Sequence, residues 1–176
     1  MPARPFVKAF LGVSLDGFIA REDGGLDWLE AGPPDPPELT GYADLMVQAD
    51  TLVLGRGTCD TVLGFAAWPF PGKRVVVLTH RPLDDARVAF THAGTLAPLL
   101  DNLAGRGSRF VYLDGGQAVR QALEERLLDE LTLTLVPVTL GRGRPLFGPS
   151  VPERRWELAE SATLPSGLVR VTYRPA

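Results

Sequence analysis

Cysteine is almost missing from this chain. Its 176 residues include one, Cys59, which excludes an internal disulfide framework and any multi-cysteine zinc or iron–sulfur site. Histidine is nearly as scarce, with two residues. His80 and His92 lack metal-ligand spacing, so no metal is expected. No unbroken apolar run approaches the length of a membrane span. The opening Met1-Pro2-Ala3-Arg4-Pro5 lacks the long apolar core and cleavage site of a secretory signal. Positive charge is not in excess: 18 Lys and Arg stand against 21 Asp and Glu. General nucleic-acid binding, which relies on neutralising phosphates, is therefore not expected. Internal repeats and charge blocks are also absent. These absences leave a cytoplasmic protein that engages neither membrane nor nucleic acid.

What remains is material for one domain over residues 1–176 with a sizeable core. Strand signals fall at 6–13, 51–54, 74–79, 87–90 and 109–113. Thr51-Leu-Val-Leu54 and Val75-Val-Val-Leu78 are nearly continuous apolar runs, as in parallel strands covered on both faces. Three later segments, 131–139, 154–162 and 168–174, alternate more clearly, with a turn at Pro165-Ser-Gly167; they predict an antiparallel end to the sheet. Leu39, Tyr42, Ala43, Met46 and Ala49 share one face of a helix predicted over 37–49. The stretch Gly32-Pro-Pro-Asp-Pro-Pro37 reads as a stiff loop before it. Leu96, Leu99, Leu100 and Leu103 mark a second helix, with Thr95 as its N-cap. Ala118, Val119, Ala122, Leu123 and Leu127 mark a third, and a short helix follows Thr58. About eight strands and four helices in βαβ alternation predict an α/β fold with a mostly parallel sheet.

The chemistry concentrates where strands end. Arg109-Phe-Val-Tyr-Leu-Asp-Gly-Gly-Gln-Ala-Val-Arg120 runs strand, double glycine, helix. Such a turn lets backbone N–H groups and a helix dipole approach an anion, although a plain tight turn looks the same. Gly55-Arg-Gly-Thr58 follows another strand, and Thr79-His-Arg81 a third. Ligands of open α/β sheets bind beyond the carboxyl ends of strands. Arg56, Thr79, His80, Arg81 and Gly115-Gly116 together predict one extended, phosphate-rich nucleotide ligand. Asp16 lies in an Asp-Gly turn signal or in a mobile loop over that ligand. Asp27 caps a turn or makes a polar contact, and beside it Trp28 is read as core. Glu38 opens the first helix, where the dipole alone favours a carboxylate. Cys59 lies near a helix start, which could lower its pKa, but it has no evident partner base. Gly141-Arg-Gly-Arg-Pro-Leu-Phe-Gly148 closes a pocket or forms an exposed turn.

The series Val13-Ser-Leu-Asp-Gly-Phe-Ile-Ala20, Leu54-Gly-Arg-Gly-Thr58, Val77-Leu-Thr79, Tyr112-Leu-Asp-Gly-Gly116 and Leu135-Val-Pro-Val, followed by Gly141-Arg-Gly-Arg-Pro-Leu-Phe147, resembles the dihydrofolate-reductase-like superfamily. More narrowly, it resembles the C-terminal reductase domain of the bifunctional riboflavin-biosynthesis deaminase–reductase and its stand-alone bacterial relatives. The resemblance implies an eight-stranded sheet with helices on both faces, bound NADPH, hydride transfer to a heterocycle, and a homodimer. It implies that Gly55, Arg56 and Thr58 contact cofactor phosphates. Thr79, His80 and Arg81 would lie near the adenosine 2′-phosphate, and Gly115, Gly116 and Gln117 near the pyrophosphate. The 14–20 loop would cover the nicotinamide, with Val13, Ser14 and Ile19 as contacts. Two departures stand out. One cysteine cannot build the zinc-deaminase signature. Leu39 occupies the place of the pterin-binding acid of dihydrofolate reductase, with Glu38 adjacent.

The resulting expectation is an NADPH-dependent reductase of a small pterin- or pyrimidine-like substrate. Asp16, Asp27 and Glu38 are the candidates for positioning and proton supply. The alternative is a non-catalytic dinucleotide-binding module, a sensor or structural dimer.

Overall fold

In the computed structural model, which describes residues 3–30 and 33–176, strand β1 (Phe6–Ser14) lies near the middle of the main sheet. Gly32, at the head of the proline-rich loop, lies outside the described residues, as do Met1 and Pro2. β2 (Phe18–Ala20) and a 3₁₀ turn (Asp27–Leu29) follow, then α1 (Pro37–Thr40) and α2 (Tyr42–Gln48). The chain continues through β3 (Thr51–Gly55), α3 (Arg56–Leu63), β4 (Arg74–Leu78) and β5 (Phe90–His92). Next come α4 (Leu96–Gly105), β6 (Phe110–Asp114), α5 (Gly116–Glu124), β7 (Glu130–Val136) and β8 (Arg144–Pro145). β9 (Trp156–Thr163) and β10 (Val169–Pro175) form the closing hairpin. The main sheet has eight strands in the order β5-β4-β3-β6-β1-β7-β10-β9. Pairing is parallel from β5 through β7, and β10 runs antiparallel to β7 and β9.

Two apolar layers sandwich the parallel half, because β3 and β4 present hydrophobic side chains on both faces. Val53 and Val76 face α4 and α5, where Leu96, Leu99, Leu100 and Leu103 are fully buried. Leu52, Leu54, Val75 and Val77 face α2 and α3, where Leu45, Cys59 and Val62 pack. Each such leucine contributes roughly 2 kcal/mol of transfer free energy. Among the described residues no helix is long and apolar enough to cross a membrane.

The structure amends several local expectations. The helix predicted over 37–49 is two pieces, broken at Gly41 with φ +76°. A Cβ at Gly41 would collide with the Arg170 guanidinium, which donates to Leu39 O at 3.0 Å. The Arg170 side chain from β10 thus packs against the break, where glycine leaves it room. The strand expected at 87–90 forms at Phe90–His92 instead, held by Thr79 N donating to His92 O at 2.9 Å. The segment expected at 131–139 ends at Val136; it pairs parallel with β1 on one side and antiparallel with β10 on the other, so the antiparallel end begins at its outer edge. The helix expected after Thr58 begins at Arg56.

Candidate functional site

The carboxyl ends of β3, β4 and β6 lie side by side, since Gly55 pairs with Leu78 and Leu54 with Asp114. A groove of about 410 Å³ opens over them. Gly55, Arg56, Thr79, His80, Arg81 and Gln117, all singled out from the sequence, line it. Gly57, His92, Gly94 and Gln121 line it as well. Sequence reading missed these four. His92 and Gly94 arrive through the pairing of β5 with β4, and Gln121 lies one helical turn after Gln117.

Backbone packing shapes the floor. Gly115 precedes α5 with φ +106°, and a Cβ there would lie 3.0 Å from Thr58 Oγ1 and 3.1 Å from Gly55 N. Two strand-to-helix turns therefore press together as only a glycine at this position allows. Both α3 and α5 start at glycine caps with no side-chain cap bond, Gly55 and Gly115. Their N-terminal amides and dipoles favour an anion. This glycine cradle, with Arg56, His80 and Arg81 beside it, fits a dinucleotide with phosphates.

The segment 14–20 is tied down by hydrogen bonds, in keeping with the turn reading of Asp16. Ser14 Oγ donates to Asp16 Oδ1 at 2.6 Å and accepts from Phe18 N at 2.9 Å. Asp16 also accepts from Leu140 N at 3.1 Å and Gly141 N at 2.7 Å. β2 pairs with β8, and Leu146 N donates to Gly17 O at 3.0 Å. The Gly141–Gly148 motif is thereby a strap that buttresses this segment. Arg120 of α5 donates to Pro145 O at 2.5 Å, clasping the strap from behind. Val13 and Ser14 are buried at the end of β1, and Ile19 abuts Gly116 so closely that a Cβ would collide with it. Hydrogen bonding by Ser14, then by the strap amides, holds the Asp16 carboxyl down at about 2.

On the opposite face of β6 stands a residue the sequence reading passed over. Asp114 immediately precedes the double glycine and shares its face with Tyr112. Desolvation raises its carboxyl from the ordinary value, although Gly115 N donates to it at 2.7 Å. The Tyr112 phenol is raised strongly, first by burial and then by Asp114. Tyr42, raised by burial and by the Asp114 charge, packs edge-on to Tyr112 and Phe10 with centroids 6.2 and 5.9 Å apart. The available signal was an acid at the C-terminal end of a buried strand, next to the glycines.

The other candidates stand apart. Asp27 is exposed, and its Arg21 partner, bonded at 2.8 and 2.9 Å, lowers its carboxyl. Both Asp16 and Asp27 are thus charged at neutral pH, which unsuits them as proton donors. Glu38 is exposed on α1. Trp28 is buried. Cys59 is also buried, and burial pushes its thiol up, the reverse of activation at a helix start.

Known proteins resemble this chain over nearly its whole length. The pattern of the RibD C-terminal domain matches residues 5–170. An uncharacterized Bacillus subtilis (strain 168) protein, YwjB, is 36% identical over 143 residues, 78% of this chain and 80% of its own. A protein of Shewanella sp. PV-4, provisionally described as a riboflavin biosynthesis protein, superposes with TM-score 0.88 at 34% identity. The match covers 97% of this chain and 99% of that one. The fold extends to the Thermotoga maritima diaminohydroxyphosphoribosylaminopyrimidine deaminase/5-amino-6-(5-phosphoribosylamino)uracil reductase, with TM-score 0.72 at 17% identity. There 98% of this chain matches 57% of the longer protein. The eight-stranded sheet, the paired glycine turns and the match over residues 5–170 agree, and the chain belongs to the RibD C-terminal domain family.

Proposed function

We propose that the protein is an NADPH-dependent reductase of a small pterin- or pyrimidine-like heterocycle. The observation that carries this reading is the convergence of Arg56, Thr79, His80, Arg81 and Gln117 on one groove, with Asp114 on the other face of the same strand end. The backbone amides around Gly115 and Gly116 would hold the pyrophosphate, with Gly55, Arg56 and Thr58 beside it. Thr79, His80 and Arg81 would hold the adenosine 2′-phosphate. Val13, Ser14 and Ile19 would wall the nicotinamide. When bound, the dihydronicotinamide supplies the hydride.

Reducing a C=N or C=O bond also needs a proton on the heteroatom. Asp114, half-buried at the end of β6, has its carboxyl raised by desolvation, which suits it as the donor. Tyr42 and Phe10 supply aromatic surface on Asp114's side of the sheet. Asp16 serves as a positioning residue, because its bonds tie segment 14–20 to the strap. Asp27 and Glu38 contribute exposed charge available to a polar substrate edge. A homodimer and a cytoplasmic location belong to the same proposal. They are supported by the family resemblance and, for the dimer, by the exposed faces of edge strand β9.

Titration of nicotinamide fluorescence tests the cofactor, with NADPH expected to bind at least tenfold more tightly than NADH. Loss of reduced-nicotinamide absorbance with pterin and pyrimidine acceptors tests the reaction. Tight NADPH binding without oxidation by any acceptor would instead identify a non-catalytic binding module.

A further inference from the structure

Asp60 lies on α3, outside the groove-lining set, yet it holds both guanidinium groups of the groove. Its Oδ1 accepts from Arg56 Nε at 2.7 Å, and its Oδ2 accepts from Arg81 Nη2 at 3.1 Å. The two arginines are anchored very differently. Arg56, 20% exposed, also donates to Arg81 O at 3.2 Å and Pro82 O at 3.0 Å. Those backbone carbonyls keep it in place whatever Asp60 does. Arg81, 66% exposed, has Asp60 as its one side-chain partner among the described residues. Asp60 is itself 44% exposed, so the contact is open to solvent and to a competing anion. The Asp60 carboxylate competes with an external anion for these arginines, at a site where glycine cradles and helix N-termini also favour negative charge.

Resting on the cofactor reading above, we propose that Asp60 is the internal counter-ion of the phosphate subsite and sets its discrimination between 2′-phosphorylated and unphosphorylated dinucleotides. The incoming phosphate takes Arg81 from Asp60, while Arg56 stays fixed to the 81–82 carbonyls. Asp60 holds Arg81 at the groove mouth in the free protein, and its negative charge weakens the phosphate's hold. It therefore limits the preference for NADPH.

The test is a titration of NADPH, NADH, 2′-AMP and 5′-AMP against wild type, Asp60→Asn and Asp60→Glu, at low salt and near 0.5 M salt. Asp60→Asn should bind NADPH and 2′-AMP about tenfold more tightly at low salt, with NADH and 5′-AMP nearly unchanged. High salt should shrink that gain, because exposed charges are screened within a few ångströms there. Asp60→Glu, which keeps the charge, should retain the wild-type ratio to within about threefold. A merely structural role would weaken all four ligands alike and show no such salt dependence. Wild type preferring NADPH while Asp60→Asn leaves or narrows the ratio overturns this inference and spares the cofactor reading. Wild type binding neither dinucleotide overturns both.

Discussion

At the amino ends of the parallel strands, the chain answers its own charges. Asp129 Oδ2 accepts Val7 N at 2.8 Å, and Arg4 closes on the same carboxylate at 2.6 and 2.7 Å. Asp50 Oδ2 accepts Arg109 N and Phe110 N at 2.8 and 3.1 Å, and Lys73 Nζ donates to Ala49 O at 2.7 Å. At the carboxyl ends, glycine caps leave helix amides facing a groove, and Arg81 is largely exposed. One end of the sheet is completed by its own side chains. The other is built from backbone donors and from cations whose internal counter-ion, Asp60, is solvent-exposed, which suits an external anion. The contrast assigns stability to the first end and binding to the second.

Asp114→Asn strikes the chemical end hardest. Loss of a proton donor should lower kcat about 100-fold or more, measured by steady-state oxidation of NADPH. The same change should raise the melting temperature at neutral pH. Burial raises the folded carboxyl, so its favourable share is complete below the unfolded value of about 3.9 and is lost as pH rises through the folded value. Asparagine has no such loss. The gain should therefore be present at pH 7 and absent near pH 3, and a melting temperature raised equally at both would contradict the burial argument.

Gly115→Ala asks whether the cradle is backbone-made. With φ +106° and Gly55 N 3.1 Å away, the new Cβ should cost about 2 kcal/mol in stability. It should weaken NADPH on the order of 100-fold, read by urea denaturation and fluorescence titration. Asp129→Ala tests the other end. Losing the Val7 N and Arg4 bonds should cost about 1–3 kcal/mol in urea denaturation. NADPH affinity should stay within about twofold; a large fall would merge the two ends. Arg81→Ala is the mildest, weakening NADPH about tenfold and leaving NADH nearly unchanged. Equal loss of both would move Arg81 out of the phosphate subsite.

Residues legible in the sequence share a trait: their role depends on near neighbours in the chain. Gly115-Gly116 after an apolar run, Arg56 between glycines and Thr79-His80-Arg81 after four apolar residues each announce a strand end. Asp114 did not, because its proton affinity depends on being enclosed with Tyr112 and Tyr42. Asp16 could be read as a turn residue but not as the knot of a strap, since its partners Leu140 and Gly141 lie more than 120 residues away.

The order of strands and helices, the apolar layers on both sheet faces and the glycine turns follow from the amino-acid sequence, because periodicity and turn chemistry act over a few residues. Tertiary structure alone set Arg170 of β10 against the break at Gly41. It alone brought Asp60 between Arg56 and Arg81 and partly desolvated Asp114. Desolvation and charge pairing depend on what surrounds a group in space, and those surroundings come from segments that local patterns cannot relate.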